Sequence, residues 1–216
     1  MADLTFRCVG ARAERYAVAP MMSLRLLVTE TSMSRVDAIA LRCQIRIEPA
    51  RRHYSDAEAE RLHDLFGDRE RWADTLKPLQ LATVPAMVPG FTGAAEVDLP
   101  VALSYDLEVG SARYLAGLDS GHVPLLLLFS GTVFCVANGR MSVQQVPWSK
   151  EASYELPVSV WREAIDTHFP DAAWIRMSRA TLDELTRFKT REALPTWDAT
   201  VVALLQRASP AQEPPP

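Results

Sequence analysis

The sequence lacks both glycine patterns that cradle a phosphate. Its nine glycines never fall as G-x-G-x-x-G or G-x-x-x-x-G-K-[ST], so neither a dinucleotide site nor a P-loop is written in it. Most of these glycines read as turn residues. Cysteine is scarce. Cys8, Cys43 and Cys135 are odd in number, far apart and form no C-x-x-C pair, which excludes a disulfide framework and a zinc site of ordinary spacing. The four histidines, His53, His63, His122 and His168, include no pair at i, i+3 or i+4, so no metal site and no resident cofactor is expected. Positive charge is not in excess. A net charge of −4 argues against nucleic acid and gives no polybasic anchor for a membrane surface. Long apolar runs are missing too. The longest, Val123 to Ala137, is interrupted by Ser130, Gly131 and Thr132, and is shorter than the ~20 residues of a spanning helix. The first residues carry neither the basic nor the apolar region of a signal peptide. These absences predict a cytoplasmic protein with free, core-lining thiols in a reducing compartment.

What is present is enough to fold. Nearly half of the 216 residues are apolar (48%) and 23% are charged, so the composition of a disordered chain is absent. Strand patterns come first: Leu4 to Val9, Tyr16 to Val18, Ser23 to Glu30 and Val36 to Glu48. In the last, Ile39, Leu41, Cys43, Ile45 and Ile47 alternate with Ala40, Arg42, Gln44 and Arg46, the period of a half-buried strand. Thr31 to Arg35 reads as a hairpin loop between two of these runs. Leu79 to Gly93, with Pro85 and Pro89, reads as irregular or edge-like chain, and Val97 to Val109 as strand. Gly121 opens a strand that runs through Phe134. Asn138-Gly139 then separates it from Met141 to Val146, which is the strongest short hairpin signal because a type I′ turn needs positive φ at both central positions.

Helical patterns are concentrated later. Ser55-x-x-Glu58 is a capping box opening a helix through Leu62, Leu65 and Phe66, with Gly67 to end it, and a short helix covers Arg69 to Leu76. Ser111 to Leu118 allows one or two helical turns. Pro157 to Phe169, a second capping box at Thr181-x-x-Glu184, and Trp197 to Leu205 supply the C-terminal helices. Ser209 to Pro216, with four prolines, reads as a disordered tail. Strands before helices predict an α+β fold: an antiparallel β-sheet or sandwich-like core with C-terminal helices packed on it, in one domain spanning residues 1–208. The element order is weakly similar to SecB-type export chaperones.

Chemistry is sparse. Asp98, Asp106 and Glu108 have the even spacing of one strand face, which suits acid–base work or merely a solvated sheet face; their alternation with apolar neighbours favours the second. Cys135 and Ser130 stand in strand-like chain without a nucleophile elbow. No catalytic residue is assigned. The unusual feature is the set of Arg and Trp clusters at element ends, around Arg52, around Arg71 and Trp72, and around Trp148. Such residues either clamp loops or anchor a protein interface.

Several phrases carry a resemblance: Arg42 to Pro49, Leu65-Phe66-Gly67, Arg71-Trp72, Tyr105 to Glu108, Pro124 to Val133, Val146-Pro147-Trp148 and Leu194 to Asp198. Together, over Leu4 to Leu205, they resemble an uncharacterised, mainly actinobacterial family associated with gene clusters for high-affinity [NiFe] hydrogenases. The resemblance implies an accessory role in hydrogenase assembly, maturation or scaffolding, with hydrogenase subunits or maturation factors as partners. It implies no catalytic residues. The expectation is a non-catalytic partner-binding protein, with Arg71, Trp72, Trp148 and Trp197 as candidate anchors. A SecB-like peptide-binding chaperone and a hydrolase using Cys135 or the carboxylate face are the alternatives.

Overall fold

The computed structural model describes residues 3–32, 34–104, 106, 109–137, 140–170, 172 and 175–208. The chain divides into two compact units, Met1–Trp174 and Ile175–Pro216. The Pro-rich tail predicted for 209–216 lies outside the described residues.

The first unit is built on two antiparallel sheets. One has the order β1 (Leu4–Ala13), β2 (Met21–Glu30), β5 (Ala94–Ala102). The other has the order β4 (Leu79–Phe91), β3 (Val36–Ile47), β6 (His122–Ala137), β7 (Arg140–Gln145), with β8 (Glu151–Pro157) also paired to β6. Alternation decides which face goes inward. Ile39, Leu41, Cys43, Ile45 and Ile47 of β3 are buried, as are Met22, Leu24, Leu26 and Val28 of β2. Phe6 and Phe129 stack across the two sheets with centroids 4.3 Å apart. Packing the inner faces in this way makes the sandwich-like core expected of the α+β class.

Short helices close one side: α1 (Asp56–Arg61), α2 (His63–Phe66), α3 (Trp72–Thr75) and α4 (Gly110–Ala116). The Ser55–Glu58 capping box forms in both directions, and Gly67 (φ 70°) ends α2. A helix α5 (Val158–Asp166) packs on β1 and β2 through Val158, Trp161, Ala164 and Ile165. The second unit holds α6 (Arg179–Arg191) and α7 (Trp197–Ala208). Its first helix begins earlier than the sequence suggested: Ser178, and not Thr181, is the N-cap, with Ser178 Oγ accepting from the Thr181 N–H.

Other sequence expectations are corrected. Tyr16 to Val18 is a turn and not a strand, because β1 runs on to Ala13. The Thr31 to Arg35 connection is not a hairpin loop, because β2 and β3 belong to different sheets. Leu79 to Phe91 is the edge strand β4, as its edge-like reading expects, continuous in pairing with β3 except for one register shift opposite Ile45 and Arg46. Pro85 and Pro89 are tolerated there because they fall at alternate positions, where the absent N–H would face away from β3. The strand expected over 97–109 is β5, starting at Ala94 and ending at Ala102. The β6–β7 hairpin pairs as expected, with Ala137 opposite Arg140. Asn138 and Gly139 themselves lie outside the described residues.

Gly131 holds the long strand β6 against β3. Its φ is 147°, and a Cβ there would stand 2.1 Å from the Ala40 carbonyl oxygen. Gly131→Ala is therefore expected to destabilise the first unit by roughly 3 kcal/mol, since both backbone strain and a backbone clash must be relieved. Chemical denaturation followed by circular dichroism reads it. A change within measurement error would show that β3 and β6 can separate at no cost.

Candidate functional site

The cluster around Arg52 is a clamp. The side chains of Arg52 and Glu58 are 9% and 5% exposed, and Arg52 Nη2 donates to Glu58 Oε1 at 2.6 Å. The same guanidinium donates to the carbonyls of His122 (2.6 Å) and Ser120 (2.7 Å). Glu58 also accepts from the backbone N–H groups of Ser55 and Asp119. Burial pushes the Glu58 carboxyl upward, but these N–H donors and Arg52 outweigh it and hold it below the usual range. Tyr54 and Tyr114 meet hydroxyl to hydroxyl at 2.8 Å, and Tyr54 donates to the Pro49 carbonyl. Every partner named is backbone or a neighbouring side chain, so the constellation ties α1 to the start of β6.

The groups weighed for catalysis do not converge. Asp98 accepts from Arg12 (2.8 Å) and Arg25 (3.2 Å), which hold its carboxyl below the ordinary range. Asp106 lies beyond the end of β5, and Glu108 lies outside the described residues. Burial pushes the Cys135 thiol up, opposite to the direction a nucleophile needs. Burial also raises Cys8 to about 11 and Cys43 to about 12, as expected of core-lining thiols.

The four candidate anchors have different fates. Trp72 is a correction: it belongs to the core. It is 8% exposed, its Nε1–H donates to the Gly67 carbonyl at 3.0 Å, and its ring meets Tyr54 and Phe66 edge to face. The ring fills the space under α2, which removes it from any surface. Arg71 beside it is exposed. Trp197, in the second unit, is half exposed under the Lys189 ammonium, 5.8 Å from the ring centroid. Trp148 is 91% exposed. It sits on a bulge where the strand running beside β6 leaves the ladder. Val146 N–H donates to Gly131, Phe129 N–H donates to Lys150, and residues 147–149 loop out between these bonds.

Beside this bulge is a surface the sequence did not reveal. On the outer face of β4–β3–β6–β7, the registers place Pro89, Ala38, Phe134 and Val143 in one row across four strands. Met87, Ala40, Thr132 and Gln145 form the next row. Val136 and Met141 extend the face toward the hairpin tip. Met87 (63%), Val136 (48%), Met141 (68%) and Val143 (58%) are exposed. A shallow groove of about 390 Å³ runs over Ala40, Arg42, Pro85 and Met87. Arg42 in the groove and Arg46 beyond it stand on the same face with no acidic partner among the described residues. An apolar field with a basic border is protein-docking chemistry.

This arrangement can be set beside known proteins. Residues 1–213 match one family over nearly the whole chain. The chain belongs to DUF6084, a family of unknown function. No curated protein matches this DUF6084 member. One solved structure, of selenomethionine-labelled β-glucosidase from Kluyveromyces marxianus, is similar with a TM-score of 0.26 and 9% identity, over 71% of this chain and 15% of that one. The chain thus spans a small part of that protein's length, and likeness at this level carries no argument about activity.

Proposed function

We propose that this chain is a non-catalytic accessory protein that captures a partner protein on the outer face of the β4–β3–β6–β7 sheet. The observation that carries this reading is the apolar row Pro89–Ala38–Phe134–Val143, flanked by exposed Met87, Val136 and Met141. Side chains of this kind stay wet at a cost unless a partner covers them. Trp148, nearly fully exposed on the adjoining bulge, supplies an aromatic anchor at the border. Arg42 and Arg46 favour a partner segment whose apolar residues are followed by acidic ones. The resemblance to a family associated with actinobacterial-type hydrogenase clusters makes a [NiFe] hydrogenase subunit or maturation factor the partner of choice, met in the cytoplasm. A SecB-like chaperone would use the same face for many clients.

The test is capture from the native host grown under hydrogenase-inducing conditions, with wild-type bait beside a Val136→Ser/Met141→Ser bait, read by mass spectrometry. The reading expects one hydrogenase component enriched by the wild type and lost with the double variant. Many unfolded clients would favour the chaperone. Equal capture by both baits would remove the face from the account.

A further inference from the structure

The β6–β7 hairpin carries a second surface, distinct from its outer face: the far edge of β7. Among the described residues this strand closes its sheet and is paired on one side, to β6. Its hydrogen-bond phase is fixed by one contact. Val146 N–H donates to the Gly131 carbonyl at 2.9 Å, and the pairing continues in register to Ala137 opposite Arg140. Bonded and non-bonded pairs alternate along an antiparallel ladder. Gln144, Ser142 and Arg140 therefore turn their backbone groups toward β6, and Gln145, Val143 and Met141 turn theirs away. The outward-turned residues are also those whose side chains lie on the apolar outer face. Within β7, which reads Arg-Met-Ser-Val-Gln-Gln, there is no lysine, no proline and no irregularity of pairing; its one charge is Arg140 at its start, and the bulge of residues 147–149 lies beyond its end.

We infer that two copies of this chain pair through β7, antiparallel about a twofold axis at Val143. The pattern of the strand selects a second copy as occupant, and selects the register. Centred on Val143, the axis sets Val143 against Val143 and Met141 against Gln145, so all three outward-turned residues exchange two hydrogen bonds with their opposite numbers. Moving the axis to Ser142 sets Gln145 against position 139, before β7 begins at Arg140. Moving it to Gln144 sets Met141 against Pro147, which has no N–H. The charges agree with self-pairing. Arg140 is the strand's one charge, and in this register it arrives opposite Val146 of the other copy. The two arginines are then roughly 20 Å apart along the ladder, and each guanidinium can stack on the exposed Trp148 of the other copy. The Phe134–Val143 row also continues into its own counterpart across the axis, doubling the apolar face.

The register makes the inference sharply testable on the purified full-length chain. Sedimentation over a concentration series should show a dimer. Val143→Pro removes an N–H that points away from β6, so it should leave the fold intact and weaken the dimer roughly 100-fold. In a Cys135→Ser background, Val143→Cys should form an intermolecular disulfide under mild oxidation, because Cα atoms ~5.5 Å apart lie within disulfide reach. Ser142→Cys and Gln144→Cys should not. A monomer at all concentrations overturns the proposal. So does a dimer that cross-links no better at Val143 than at its neighbours. The cross-link does not depend on the proline variant, so a misfolded Val143→Pro chain would not spare the proposal.

Discussion

Replacing Arg52 with methionine is expected to destabilise the first unit by roughly 3–5 kcal/mol, the cost of leaving a buried carboxylate unpaired. For a chain of this size that is a fall of roughly 10 °C in Tm, read by differential scanning calorimetry. The substitution removes the ion pair to Glu58 and both bonds to the carbonyls of Ser120 and His122. Methionine keeps the bulk of the stem, so the loss is polar and not a cavity. The same pair governs acid behaviour. Glu58 is held below its usual range, so its contribution is complete above the unfolded-state value near pH ~4.3 and disappears as pH falls through the folded value. Glu58→Gln should flatten that part of the acid limb. A Tm for Arg52→Met within ~1 °C of wild type would show that the constellation carries no stability and would reopen it as a functional site.

Two tryptophans the sequence treats alike should separate completely. Trp72→Ala empties a buried site between Tyr54 and Phe66 and should cost roughly 3–5 kcal/mol. Trp148→Ala touches a ring in solvent and should change stability by no more than about 0.5 kcal/mol. Only Trp148→Ala should lower partner capture in a chain that remains fully folded. Denaturant unfolding and capture assays, run side by side, read both. A stability loss at Trp148 comparable to that at Trp72 would mean that the bulge is a structural clamp.

The strands were legible wherever burial imposes a period of two. Ile39 to Ile47 announces β3, Asn138-Gly139 announces the β6–β7 hairpin, and Ser55 with Glu58 announces α1. Pairing across distance was not legible: nothing in Thr31 to Arg35 distinguishes a hairpin from a crossing between sheets. The apolar outer face was hidden for a physical reason. Met141 and Val143 alternate with Ser142 and Gln144, a pattern that normally places the apolar residues in the core. Here the polar members share the face of Val133 and Cys135, and the apolar members point outward beside Phe134. Alternation shows that two faces differ, but not which of them is covered. The place of Trp72 is not legible in the sequence because Arg-Trp at an element end has the same composition in a clamp as in an anchor, and only burial separates the two.

The two face methionines allow a direct test of the central claim. Met87 and Met141 are both strongly exposed, so both should oxidise readily in the free protein. The decisive measurement is hydroxyl-radical footprinting of the captured complex against the free chain, with methionine sulfoxide quantified residue by residue. Partner docking on the outer face predicts several-fold protection of Met87 and Met141 together, with Tyr16, exposed on the β1–β2 turn, unchanged. Oxidation of both methionines at the free rate, with protection elsewhere, would contradict the account.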